Sequence, residues 1–345
     1  MLRINLILLF VAAPLIGVLI TVSAFGQAAA GMVLPTRELD SAVVALKDET
    51  YNIQYAVGFM RDSLEQQQQN LQEQQRLLEQ LSQQTGIQKN LSDDTYEQHI
   101  LDKLGPPVRV HRSSRVEIKV FHLSGIGYRG YIAKVKPYDP SVLRVVHNPV
   151  DGEATLGAVQ RTGAIFGING GGYFTAPSGD KTHVLPIGNT MVDGKLIGSF
   201  QPSKEDIFFV GFDGRGKLVG AICYAQSDLN RLGARQGVSF VPILIRDQTP
   251  VPLPQKWQNQ RQPRTIVGEY ANGDMIFIVV DGRQADWSSG VTLEDLQITL
   301  SKFGVVDAYN LDGGGSSVFV FNNEIMNRPS DGKQRMLPTN IVVMP

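Results

Sequence analysis

The sequence predicts an α+β chain in which a strand-rich, mixed-sheet domain follows a membrane-spanning helix and a coiled-coil stalk. Three observations predict it. Residues 4–25 carry no charge, residues 39–81 repeat seam residues at alternating spacings of four and three, and 30 of the 35 glycines fall after residue 104. The boundaries that follow are 1–30 for the anchor or signal peptide, 31–104 for the stalk and its linker, and 105–345 for the folded domain.

After Arg3, the only polar side chains up to residue 25 are Asn5, Thr21 and Ser23. About twenty such residues suffice for a helix to cross a bilayer. With Arg3 on the cytoplasmic side, the C-terminal bulk lies outside. A cleaved signal peptide fits the same run, because Ala28-Ala29-Ala30 before Gly31 suits a peptidase, and either reading exports the remainder.

The heptad seam runs through Leu39, Val43, Leu46, Thr50, Ile53, Val57, Met60, Leu64, Gln67, Leu71, Gln74, Leu78 and Leu81. Periodicity sustained this long predicts a coiled coil, in which each seam residue enters a hole on a partner helix, so the chain is expected to be a homo-oligomer. Gly86 ends the helix, and Gly105-Pro106-Pro107 punctuates the entry to the next domain.

Past that point, short alternating or apolar runs predict strands at 116–123, 131–136, 142–147, 164–168, 207–212, 241–245, 275–280, 305–311 and 317–321. Asp193-Gly194, Asp213-Gly214 and Asn272-Gly273 mark hairpins. One helix is well signalled: Thr292 caps it, Asp295 takes the third position, Leu293, Leu296 and Leu300 line one face, and Gly304 ends it.

Composition narrows the function. A net charge of -1 on 345 residues excludes a basic nucleic-acid binder. A single cysteine, Cys223, excludes an internal disulfide, and no Cys/His spacing suits structural zinc. His99, His111, His122, His147 and His183 are scattered, which argues against a histidine-rich two-metal centre.

Four segments are too specialised for plain scaffold. The run from Gly167 to Phe174 carries a strand into Gly170-Gly171-Gly172, where a backbone can turn tightly or approach a ligand. Arg264-Thr265 opens a second segment. Asp281-Gly282-Arg283 leaves an apolar strand and places a carboxylate beside a cation. Asn310-Leu311-Asp312-Gly313-Gly314-Gly315-Ser316-Ser317 ends another strand, with glycines and hydroxyls suited to an oxyanion nest. No lysine follows these glycines and strand succeeds them, which excludes a nucleotide P-loop.

Taken in order, Asn169 to Phe174, Arg264-Thr265-x-x-Gly268, Asp281-Gly282-Arg283, Gly290-x-Thr292, Asn310 to Ser317 and Asn327-x-Pro329-Ser330-Asp331 resemble the phosphodiester glycosidase family. The resemblance covers about residues 105–345. It departs in the third glycine, in Tyr173, and in Met336-Leu337 after Arg335. It implies an extracellular hydrolase that cleaves the C1–O bond of sugar 1-phosphodiesters in glycans or cell-surface glycopolymers. Asp281, Asp312 and Arg264 would be catalytic. Asn169, Gly170, Gly171, Arg283, Thr292, Asn310, Gly313, Gly314, Gly315, Ser316 and Ser317 would bind substrate.

The chemistry suits such residues. A phosphate monoester has a second pKa of about 6, so it departs as a dianion and needs cations and N–H donors more than a strong acid. A single divalent cation on Asp281 or Asp312 is compatible with these residue types. The other readings are a catalytically silent glycan-binding module and a metal-dependent phosphodiesterase that breaks P–O.

The stalk makes the first testable expectation. Protein beginning at residue 31 should sediment as a dimer or trimer, and protein beginning at residue 105 closer to a monomer. A monomeric longer form would refute the heptad reading.

Overall fold

A computed structural model describes residues 93–148, 150–178 and 181–345, with isolated positions before residue 77. Those isolated positions apart, the expected anchor at 4–25 and stalk at 39–81 lie outside the described residues. Among the described residues no helix is long and apolar enough to cross a membrane. The chain divides into units 1–72 and 73–345, and the strand-rich domain lies in the second.

The strand Met275–Val280 is buried at all six positions. Successive side chains of a strand point to opposite faces, so a strand covered on both sides reads as an unbroken apolar run. Met275, Phe277 and Val279 enter one core, and Ile276, Ile278 and Val280 the other. This strand pairs with Tyr128–Pro137 on one side and Arg264–Tyr270 on the other, and the latter pairs with Val305–Leu311. They form the middle of an eight-stranded sheet bounded by Arg109–Arg112 and Thr249–Pro250. Every pairing among the described strands is antiparallel, so the mixture in this domain is of strands with helices and not of strand directions.

Helix Leu293–Phe303 carries the chain from Met275–Val280 to Val305–Leu311 and lays Leu293, Leu296 and Leu300 on the second core. Its ends are the expected ones. Thr292 Oγ1 accepts the Asp295 amide at 3.1 Å, and Gly304 takes the left-handed conformation at φ 81°. The opposite face of the sheet meets a five-stranded sheet that contains Phe166–Asn169, Phe319–Phe321, Thr339–Val343 and Leu143–His147. Phe166 and Phe277 seal the two layers, with ring centroids 5.3 Å apart.

Some elements differ from expectation. The strand foreseen at 317–321 begins at Phe319, because Gly314–Ser316 first makes a 3-10 turn. Helices Thr155–Thr162 and Gln226–Arg231 have Ala154 and Ala225 at the N-cap, which offer no capping side chain, and in the second Asp228 accepts the Ala225 amide at 2.9 Å instead. The largest revision concerns Asp93–Leu104, which lies on the linker side of the expected boundary at residue 105. It is a helix that buries Tyr96 and Ile100 in the second core, so the domain begins before residue 105, and the stalkless form in the sedimentation test has to keep Asp93–Leu104.

A charge network fastens that helix. Glu97 accepts from Lys119 at 3.0 Å and from Lys134 at 2.7 Å, and Lys134 also pairs with Asp274. Burial alone would raise the Glu97 pKa, but the two lysines outweigh it and hold the carboxyl at about 2. Lys134→Met leaves two carboxylates without their shared cation. Removing one partner of a buried pair costs about 3–5 kcal/mol, and urea unfolding at neutral pH should show a loss of that size. A loss below about 1 kcal/mol, the value of an exposed pair, would mean that the network does not hold the helix.

Candidate active site

Strand register gathers the specialised segments. Arg264 lies opposite Val280, and Thr265 opposite Leu311. The next residues on the two outer strands, Asp281 and Asp312, therefore emerge at the same end of the sheet, on either side of Arg264-Thr265. Asn169, from the other sheet, closes the group. Its fully buried side chain donates to the Asp312 carbonyl at 2.5 Å and accepts from Thr265 Oγ1 at 2.8 Å and the Val318 amide at 3.2 Å. An amide committed in this way is not offered to a sugar. Asn169 positions the site from beneath.

Asp312 is the carboxylate left partly unclaimed. Oδ1 accepts from the Gly313 amide at 3.0 Å, while Oδ2 is buried without a hydrogen-bond partner. Burial raises its pKa to about 6, against the partial opposition of the Ser316 hydroxyl, the Gly313 amide and the Arg335 charge. Ser316 Oγ stands close enough to be felt but not in hydrogen-bonding geometry, and it too has no partner, as does Ser317 Oγ. Buried polar atoms are nearly always satisfied, so three orphans in one turn single it out as the candidate site.

Two guanidinium groups flank this turn. A Cβ at Gly314 would lie 3.1 Å from Arg283 Nη2, and one at Gly315 would collide with Asp331 Oδ2 and the Arg335 guanidinium. Arg283 is exposed, takes φ 62°, and donates from Nε to Gln262 Oε1 at 2.8 Å. Arg335 pairs with Asp331 at 2.7 Å and is reached by the Tyr173 side chain. Backbone donors are scarcer than the sequence implied. The amides of Gly313, Gly314, Ser316 and Ser317 bond inside the protein, to Asp312 Oδ1 and to the carbonyls of Pro263, Gly313 and Gly314. The positive charge beside this turn therefore comes from arginine side chains.

Asp281 has the opposite environment. Only 1% exposed, its carboxylate accepts from Trp287 Nε1 at 2.8 Å, Asn327 Nδ2 at 2.9 Å and the Arg328 amide at 2.9 Å. Burial raises its pKa, and those three donors offset only part of the rise. They take three of the roughly four acceptor positions of the carboxylate, so Asp281 ties together the loops that carry Trp287, Asn327 and Arg328. Asn327 reaches onward to the Ser317 carbonyl at 3.0 Å and links this hub to the Asp312 turn.

Other expected site residues work from behind. Arg264 is 3% exposed and gives its guanidinium to the carbonyls of Gln260 at 2.8 Å and Val291 at 3.5 Å. Burial lowers its pKa to about 10. It braces two loops where a phosphate contact was expected. Thr292 is spent on the helix cap, and Asn310 donates to the Val241 carbonyl at 2.6 Å. Gly170 and Gly171 are required by packing: a Cβ would lie 2.5 Å from Thr339 Oγ1 or 2.6 Å from the Ser239 carbonyl. Sequence reasoning gave no role to Arg335 or Trp287. Neither stands in a spacing that signals chemistry, and Arg335 meets the turn only through folding.

A family model described as Phosphodiester glycosidase matches residues 162–344. The SPbeta prophage-derived uncharacterized protein YomE of Bacillus subtilis (strain 168) is 27% identical over 199 residues, 55% of this chain and 29% of that protein. The N-acetylglucosamine-1-phosphodiester alpha-N-acetylglucosaminidase of Mus musculus is 27% identical over 251 residues, 66% of this chain and 46% of that protein. The chain thus spans less than half the length of either relative. The zebrafish N-acetylglucosamine-1-phosphodiester alpha-N-acetylglucosaminidase catalytic domain shares the fold, with a TM-score of 0.52 at 21% identity over 68% of this chain and 85% of that one.

The two carboxylates differ in a measurable way. A carboxyl whose pKa is raised on folding stabilises the fold fully below its unfolded value of about 4, and that contribution is lost as pH rises through the folded value of about 6. Asp312→Asn has no such loss. Relative to the native protein it should gain about 2 kcal/mol between about pH 4 and about pH 8 in urea unfolding. A difference that stays constant with pH would contradict the buried, unpaired carboxylate.

Proposed function

Since the chain belongs to the phosphodiester glycosidase family, we propose that it is a hydrolase that breaks the C1–O bond of a sugar 1-phosphodiester. The observation that carries this reading is that Asp312 Oδ2 and Ser316 Oγ are buried without partners beside Arg283 and Arg335. A sugar held there has C1 toward Asp312 and its phosphate toward the two guanidinium groups. Arginine suits that task because its planar fork matches phosphate oxygens.

Cleavage transfers the C1–O electron pair to the phosphate oxygen, where Arg283 and Arg335 neutralise the growing charge. Water oxygen ends on C1. Asp312 acts ionised, either taking the proton of the attacking water or adding to C1 before water displaces it. Ser316 donates to the sugar or to the Asp312 carboxylate. Asp281 keeps the loops that carry Trp287, Asn327 and Arg328 in register, which makes it a positioning residue in this scheme.

The N-terminal segments support a setting for this chemistry. The apolar run 4–25 and the heptads 39–81 suit a domain displayed outside a membrane on an oligomeric stalk, and phosphate-linked glycopolymers are its natural substrates there.

In labelled water, oxygen from solvent should appear in the released sugar and none in the phosphate monoester. Label in the phosphate, with activity lost to a chelator, would establish a phosphodiesterase instead. The kcat/KM should rise with pH through about 6, following Asp312 ionisation, and Asp312→Asn should cost roughly a thousandfold or more in kcat. Retained turnover in that variant would remove Asp312 from the mechanism.

A further inference from the structure

We propose that Arg129, Trp287 and Arg328 form a second anion subsite, which holds a phosphate of the neighbouring repeat when the substrate is a phosphate-linked glycan chain. The inference rests on the hydrolase reading for what the first site does, but its geometry is independent of it. Two guanidinium groups lie over the Trp287 ring, with Arg328 Cζ 3.9 Å and Arg129 Cζ 4.5 Å from the ring centroid. Both arginines are exposed, and among the described residues neither forms an ion pair with a carboxylate. A guanidinium stacked on an indole keeps its in-plane N–H donors outward, so stacking fixes its direction and leaves its fork free for an oxyanion.

The stack is fixed to one buried carboxylate. Asp281 Oδ2 accepts the Trp287 indole N–H and Oδ1 accepts the Arg328 amide. The Asp281 amide donates to the Arg129 carbonyl at 2.9 Å, and Ser288 Oγ donates to the Asp281 carbonyl while accepting the Arg129 amide. The indole and the backbones of both arginines are therefore held before any ligand arrives, which lowers the ordering cost of binding. A cleft of about 500 Å³ opens beside Arg328, lined also by Gln284, Asp286, Asn327 and Pro329. Gln284 donates to the carbonyls of Arg328 and Pro329, and its Oε1 is buried without a partner, an acceptor suited to a sugar hydroxyl. Asn327 spans from Asp281 to the Ser317 carbonyl, so the cleft adjoins the Asp312 turn. One phosphate at Arg283 and Arg335 and a second at the stack would hold consecutive repeats of one chain.

The chain has two tryptophans. Trp257 has a buried, unpartnered Nε1, so Trp257→Phe removes an orphan donor and leaves Trp287 as the only indole reporter in the full-length protein. Titration with a phosphate-linked glycan oligomer should give a saturable change in Trp287 fluorescence, about tenfold tighter than inorganic phosphate, and a neutral oligosaccharide of equal length should give none. Arg328→Gln should weaken oligomer binding about tenfold, the loss of a charge-assisted hydrogen bond, with Arg328→Lys intermediate. In turnover, Arg129→Gln and Arg328→Gln should each lower the ratio of kcat/KM for the oligomer to that for a single-unit phosphodiester by about tenfold. Equal losses on both substrates, no response at Trp287, or equal binding of the neutral glycan or an oligonucleotide would each overturn the subsite. Oligomer binding at Trp287 without turnover of any phosphodiester would instead refute the hydrolase reading and leave the subsite standing.

Discussion

The buried side chain of Asn169 is the interaction on which the site depends. It stands where two sheets meet, and its three hydrogen bonds go to the Asp312 carbonyl, the Thr265 hydroxyl and the Val318 amide. Each partner belongs to a different segment, so a single amide sets the distance between the strand end that carries Asp312, the central strand that begins at Arg264, and the strand that returns from the glycine turn. At 0% exposure, each broken bond would leave a buried group unsatisfied at about 1–3 kcal/mol. Aspartate in its place would lose the donor to Asp312 and bury a charge, which is why the identity of this residue matters more than its polarity.

Around that pin, two carboxylates of the same chemical type have been given opposite surroundings. Asp281 accepts three N–H donors and orders the loops around it, whereas Asp312 keeps one oxygen unclaimed and is raised by burial to about 6. Burial raises both carboxyls, so what separates them is the number of donors each one meets. The starved member sits beneath cations held at a turn of small residues, and the satisfied one lies behind an aromatic ring and two further arginines. The division follows from where N–H donors are placed, since both residues end apolar strands and both precede glycine.

The central sheet keeps this end rigid because it is dry on both faces. The strand Met275–Val280 buries every side chain, and helices cover one face while a second sheet covers the other. Covering the helical face requires Asp93–Leu104, whose Glu97 meets two lysines rooted in neighbouring strands. A helix held by buried charge is docked in one register, since sliding it by a turn would strand the lysines.

By itself the sequence determined whatever depends on near neighbours along the chain. The apolar run at 275–280 is a strand, Thr292 and Gly304 bound the helix between them, and Asp281 and Asp312 stand at strand ends, because period, capping and turn chemistry act over a few residues. The motif order also identified the family. Which motif residues face a ligand was decided only by tertiary structure. Asn169 meets Asp312 across 143 positions of sequence, Arg335 covers Gly315, and the glycines at 170 and 171 serve close packing against Thr339 and Ser239. Arg264 and Thr292 look like ligand contacts in the sequence and are internal braces in the fold, while Asn310 commits its Nδ2 to the Val241 carbonyl and keeps Oδ1 without a partner. A residue type fixes what a side chain can donate or accept, but the partner that claims it is chosen by strand register and packing, which no local pattern encodes.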